Sequence, residues 1–161
     1  MTPGPILRIE GLRKTFRTNN GGTLEALAET SFNVSENDFV CIVGPSGCGK
    51  STLLRMIAGL ETISAGRIGY RGEPVSRPQK EIGMVFQEYS LLPWRTVLDN
   101  VALGPEFGGA PREEREAKAK EYLRLVGMED FSGAFPHELS GGMRQRVAIV
   151  RALANDPDVL L

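Results

Sequence analysis

The sequence predicts an α/β fold, and three observations predict it. Residues 6–43 read as β-rich. Gly44-Pro45-Ser46-Gly47-Cys48-Gly49-Lys50-Ser51 fit the pattern GxxxxGK[ST] between an apolar run and a helix. The second half carries two helical segments with apolar stripes and ends on a buried-strand pattern.

Ile6-Leu7-Arg8-Ile9 opens a strand, and Ser31-Phe32-Asn33-Val34 alternates as a half-buried strand does. Asn19-Asn20-Gly21-Gly22 between them is a loop or hairpin signal, and this β region is expected to be antiparallel. Phe39-Val40-Cys41-Ile42-Val43 is an apolar β-type run, with Cys41 expected as a small core residue. Ser51 to Ala58 reads as a helix stopped by Gly59. Ser64-Ala65-Gly66 turns into a short strand from Arg67, and Ile82-Gly83-Met84-Val85-Phe86 is a buried strand ending at Gln87. Pro111 starts a charged helix, Arg112 to Val126, stopped by Gly127. Ala119, Tyr122, Leu123 and Val126 form its apolar stripe, and Glu114–Lys118 and Glu116–Lys120 are spaced as i,i+4 pairs. A further helix runs from about Gly141 to Ala154, ended by Asn155-Asp156-Pro157, and Val159-Leu160-Leu161 begins a third buried strand.

The pattern at Gly44–Ser51 carries chemistry. Its glycines let the backbone curl so that successive N–H groups point at an anion. Lys50 places a full positive charge at the β- and γ-phosphates, the Ser51 hydroxyl is set to ligate Mg²⁺, and the dipole of the following helix adds to the attraction. Gly44 through Thr52 are therefore the candidate phosphate-binding residues, and the fold is expected to have a phosphate-loop NTPase core.

Bulk properties exclude other classes. The 161 residues suffice for one domain, and 41% hydrophobic with 24% charged residues is ordinary for a soluble protein. A net charge of −1 points to no nucleic acid partner. No apolar run approaches the roughly 20 residues needed to cross a bilayer. Met1-Thr2-Pro3-Gly4-Pro5 lacks a leader pattern, so the expected location is cytoplasmic. With Cys41 in the apolar run and Cys48 in the loop, neither a disulfide nor a metal site is expected.

Leu139-Ser140-Gly141-Gly142-Met143-Arg144-Gln145-Arg146 precedes the last helix. Ser140 reads as its N-cap, and Gly141-Gly142 leave the first N–H groups uncovered. That is either an ordinary capped helix with a flexible start or a second, open anion site.

Together the two motifs resemble the nucleotide-binding subunits of ABC transporters, along essentially the whole chain. The resemblance implies one nucleotide-binding domain over 1–161, with an inserted helical subdomain at about 90–139. It implies ATP and Mg²⁺ as ligands. Ser140, Gly141, Gly142 and Gln145 would form the signature that meets the ATP of a second copy in a head-to-tail dimer. Gln87 matches a glutamine that touches Mg²⁺ with Ser51; a glutamine there could instead bond to backbone in a turn. Phe16 sits where an aromatic stacks on adenine; it could instead simply pack. Partners implied are permease subunits, with a solute-binding protein in the full system, and a place on the inner face of the membrane.

Leu91, Leu92 and Trp94 either pack inward or form an apolar patch for a helix of a membrane partner. The run Pro93 to Val101 looks like the nitrate, sulfonate and taurine branch of bacterial importers. The implied function is ATP binding and hydrolysis driving uptake of a small solute. Alternatives are a soluble ATPase of the same type, a kinase or GTPase with the phosphate loop alone, and a non-catalytic nucleotide-binding fragment.

In the family two carboxylates follow directly after a strand like Asp158-Val159-Leu160-Leu161, and later strands follow them. Their absence from the 161 residues suggests a C-terminally truncated chain with no catalytic residue of its own and negligible turnover. Asp156 and Asp158 precede that strand and are poor substitutes.

Overall fold

Alternating apolar residues build the first sheet. In the computed structural model, which describes residues 4–161, β1 (Leu7–Arg17) pairs antiparallel with β2 (Thr23–Val34) through the expected hairpin. On its other side β1 pairs antiparallel with β3 (Ala65–Tyr70), which pairs with β4 (Glu73–Pro74). The order is β2-β1-β3-β4. Leu7 and Ile9 face the core, and a register shift with Gly11 at φ 55 then resets the alternation, so that Leu12 and Lys14 face it next. The leader reading at Met1-Thr2-Pro3 lies outside the described residues.

α1 (Lys50–Ile57) follows the phosphate loop and buries Leu53, Met56 and Ile57. Gly59 ends it in the left-handed conformation, φ 70, as its sequence predicts. The chain forms two compact units, residues 1–79 and 80–161, and all elements so far belong to the first.

In the second unit β5 (Ile82–Gly83) pairs parallel with β6 (Val159–Leu160). The helices are α2 (Val97–Val101), α3 (Leu103–Phe107), α4 (Arg112–Leu125) and α5 (Gly141–Leu153). Their core gathers Val97 and Val101 of α2, Ala119 and Leu123 of α4, and Val147 and Val150 of α5, with Met128 and Leu139 from the connections. No described helix is long and apolar enough to cross a membrane.

Three expectations are corrected. The run Phe39–Val43 forms no strand: no described strand pairs with it, Phe39 is 97% exposed, and Cys41 is exposed rather than in the core. An apolar β-type sequence becomes a strand only with a ladder partner for its backbone groups. The strand expected over Ile82–Phe86 is confined to Ile82–Gly83, so Gln87 lies in an exposed turn. On α4 Glu116 pairs with Arg112, and Lys118 with Asp156 beyond α5, in place of the partners read from spacing. Glu116 is also four residues from Arg112, and the guanidinium offers more donors than an ammonium.

The Lys118–Asp156 contact makes a pH prediction. Asp156 accepts hydrogen bonds from Lys118 and from the Tyr122 hydroxyl. The Lys118 bond holds its carboxyl below the ordinary carboxylate range, against a smaller opposing effect of burial. A depressed folded value means the stabilisation is present above about pH 4 and is lost as pH falls further. Thermal melts from pH 6 to pH 3 are expected to show a shallower loss of Tm for Asp156→Asn than for the parent chain; identical slopes would refute the contribution.

Candidate functional site: a phosphate loop and a capped helix start

The loop residues Gly44–Cys48 run exposed from the extended segment, and Gly49, half-buried, leads into α1. Gly47 and Gly49 have φ 82 and 93, and Gly49 is the residue before the helix. A Cβ on Gly49 would collide with the backbone carbonyl of Ala26 on β2 and approach Leu27 Cδ1 to 3.3 Å. The chain turns here because only glycine fits both the torsion and the space. The first N–H groups of α1 have no intrahelical acceptor and face the loop end of the helix.

Lys50 folds back over the loop. Its ammonium donates to the carbonyls of Gly44 and Pro45, both at 2.8 Å, with Cys48 Sγ at 3.5 Å. The positive charge thus sits on the loop itself, held by two backbone carbonyls that an incoming phosphate would replace. Ser51 lies exposed in the first turn of α1, and Thr52 follows it half-buried. A curved backbone, a helix start and an ammonium fit an anion, and the exposed hydroxyl of Ser51 fits a hard cation bound with it. Among the described residues no cluster of three or more His, Cys, Asp or Glu offers an all-protein metal cage.

β2 relates Phe16 to this loop. Phe16 pairs with Leu24, and Gly49 abuts Ala26 two residues further along the same strand, about 7 Å on. The Phe16 ring is partly exposed, with the Lys14 ammonium 4.6 Å from its centroid.

The second unit carries Gln87 and the capped helix. Ser140 is the N-cap of α5, as the sequence predicts, and its Oγ accepts from Met143 N–H at 3.3 Å. Gly142 is exposed, and Gly141 and Gln145 are half-buried. The turn after Gln87 is tied to this same helix. Tyr89 and Ser90 both adopt positive φ, 53 and 51, without being glycine. Arg151 of α5 donates to the Ser90 carbonyl at 2.6 Å and the Tyr89 carbonyl at 2.9 Å, and the Arg144 guanidinium lies 5.6 Å from the Tyr89 ring centroid. Burial lowers the Arg151 pKa from its ordinary value. Sequence reasoning missed Arg151, Arg144 and Tyr89, since contacts sixty residues apart leave no local pattern.

Leu91 packs against the helical core whereas Trp94 stands 72% exposed, so the two readings of that segment apply to different residues. Asp156 is held by Lys118 and Tyr122. His137 stacks beside Phe135, ring centroids 5.9 Å apart.

Comparison with known proteins joins these features. A family profile described as ABC transporter matches residues 27–161, from β2 through both motifs to the last strand. The chain belongs to the ABC transporter family. It is 54% identical over 156 residues to a taurine import ATP-binding protein of Rhizobium johnstonii, covering 97% of this chain and 60% of that protein. It is 49% identical over 155 residues to a nitrate import ATP-binding protein of Synechocystis, covering 96% and 58%. The chain therefore spans about three fifths of the length of these curated relatives. Among solved structures it is similar to an ATP-binding cassette captured as a dimer in a post-hydrolysis state with ADP and Pi. That match has TM-score 0.88 and 36% identity, over 96% of this chain and 72% of that one. The α/β class with an antiparallel N-terminal sheet is thus the fold of ABC cassettes.

Proposed function

We propose that these residues form the ATP-binding part of an ABC importer's ATPase subunit. The observation that carries the reading is the cradle at Gly44–Ser51: two left-handed glycines, a helix start and the Lys50 ammonium on one exposed loop. Gly44 to Thr52 hold the phosphates, Phe16 stacks on the base, and Ser51 is a ligand of Mg²⁺. When bound, the ion offsets phosphate charge. The start of α5 at Ser140, Gly141, Gly142 and Gln145 serves the nucleotide of a second copy; a similar cassette solved as a dimer with ADP and Pi supports the pairing of two copies.

The relatives named for taurine and nitrate import favour a small sulfonate or oxyanion as the solute. The partners are then permease subunits, with exposed Trp94 on the docking surface, and a solute-binding protein beyond the membrane. The subunit works on the cytoplasmic face.

Binding is the readout these residues carry. Lys50→Ala is expected to weaken MgATP binding about 10–100-fold in calorimetric titration, the equivalent of charge-assisted phosphate hydrogen bonds. Equal affinity in parent and variant would overturn the reading.

A further inference from the structure

Lys14 is the one ionised side chain that the first sheet draws into its core. It is 5% exposed, and all three of its donors are used: Glu61 Oε1 at 2.6 Å, the Thr62 carbonyl at 2.7 Å and Thr62 Oγ1 at 3.0 Å. Glu61 is fixed in turn by the Thr62 N–H at 3.0 Å. A buried ammonium with a carboxylate and two further acceptors has no freedom left to wander. Its position matters because of what stands beside it. Lys14 and Phe16 are two residues apart on β1, on one face of the sheet, and the ammonium lies 4.6 Å from the ring centroid. Glu61 and Thr62 come just after the Gly59 stop of α1, the helix that starts at the phosphate loop.

The ring is thus gripped on one face by a charge anchored to the far end of the phosphate-loop helix. We infer that Lys14 is a positioning residue for nucleoside recognition: it fixes Phe16 by one face and leaves the other for the purine. This rests on the reading that Phe16 stacks on the base. It makes Lys14 matter for the base and not for the phosphates, although Lys14 touches neither. An arginine would keep both the cation over the ring and the bond to Glu61; a methionine would fill the space without charge.

The experiment measures Kd for MgATP and for magnesium tripolyphosphate, which has the phosphates and no base. The chains compared are the parent, Phe16→Ala, Lys14→Met, Lys14→Arg and Thr62→Val. Lys14→Met is expected to weaken MgATP about three- to tenfold, the range of a partly desolvated cation–π contact, and to leave tripolyphosphate unchanged. Lys14→Arg is expected to recover most of the loss. Thr62→Val keeps the charge but loosens its seat, and is expected to fall between parent and methionine, which keeps the test alive if Lys14→Met folds poorly. Equal weakening of both ligands by Lys14→Met would mean a general structural role and overturn the inference. So would unchanged MgATP affinity in Lys14→Met when Phe16→Ala weakens it. Unchanged MgATP affinity in Phe16→Ala would overturn the stacking reading, and the inference with it.

Discussion

Gly49→Ala is expected to abolish measurable nucleotide binding and to lower the Tm, whereas Gly47→Ala should do much less. Both glycines have positive φ, 82 at Gly47 and 93 at Gly49, so each alanine meets a conformational cost of about 1–2 kcal/mol. What separates them is space. A Cβ at Gly47 meets nothing within 4 Å, but at Gly49 it meets the Ala26 carbonyl, which is backbone of a paired strand and cannot step aside. The loop would have to lift off β2, carrying the start of α1 with it and spoiling the alignment of N–H groups. Differential scanning fluorimetry and MgATP titration on the two variants check this. Equal behaviour of the two alanines would show that β2 does not set the loop.

Much of the phosphate site was legible because its chemistry demands residue types at fixed spacing: glycines for the turn, Lys50 for charge, a helix immediately after. The N-cap at Ser140 was legible for the same reason, since a cap is a local bond between a side chain and an N–H three residues on. Strand assignment at Phe39–Val43 failed because pairing is a property of two segments, and hydropathy reports on only one. Lys14 was hidden by the register shift near Gly11. Without it, strict alternation from Leu7 and Ile9 turns residue 14 outward; with it, Leu12 and Lys14 turn into the core, and Phe16 follows on the same face where it reaches solvent. The tie of Tyr89 and Ser90 to Arg151 left no trace in spacing, because the two segments meet only in the fold.

Asn100 carries the other large effect. It occupies the apolar stripe of α2, three residues from Val97, and is completely buried. Its Oδ1 accepts the Leu92 N–H at 2.7 Å, and its amide shares donors among the carbonyls of Leu92 and Arg95 at 3.1 Å and Thr96 at 2.9 Å. One side chain thus closes the bend from Leu92 to Thr96, on which Trp94 is displayed. Leu92 O and Thr96 O have other backbone donors, Arg95 N–H and Asn100 N–H, so the chief losses on truncation fall on Leu92 N–H and Arg95 O. Leaving two part-buried groups unpaired costs about 1–3 kcal/mol each, so Asn100→Ala is expected to lose about 2–6 kcal/mol in urea unfolding. The only tryptophan, Trp94, reports on the bend directly, and its fluorescence anisotropy is expected to fall as the bend loosens. Asn100→Asp separates hydrogen bonding from volume. At neutral pH its buried carboxylate has no N–H to give and repels three carbonyls, so it should be at least as damaging. Burial raises the pKa of that carboxyl, so the variant regains stability as pH falls and the protonated acid recovers a donor. Asn100→Ala within 0.5 kcal/mol of the parent, a scale typical of inconsequential surface changes, would refute the bracing role.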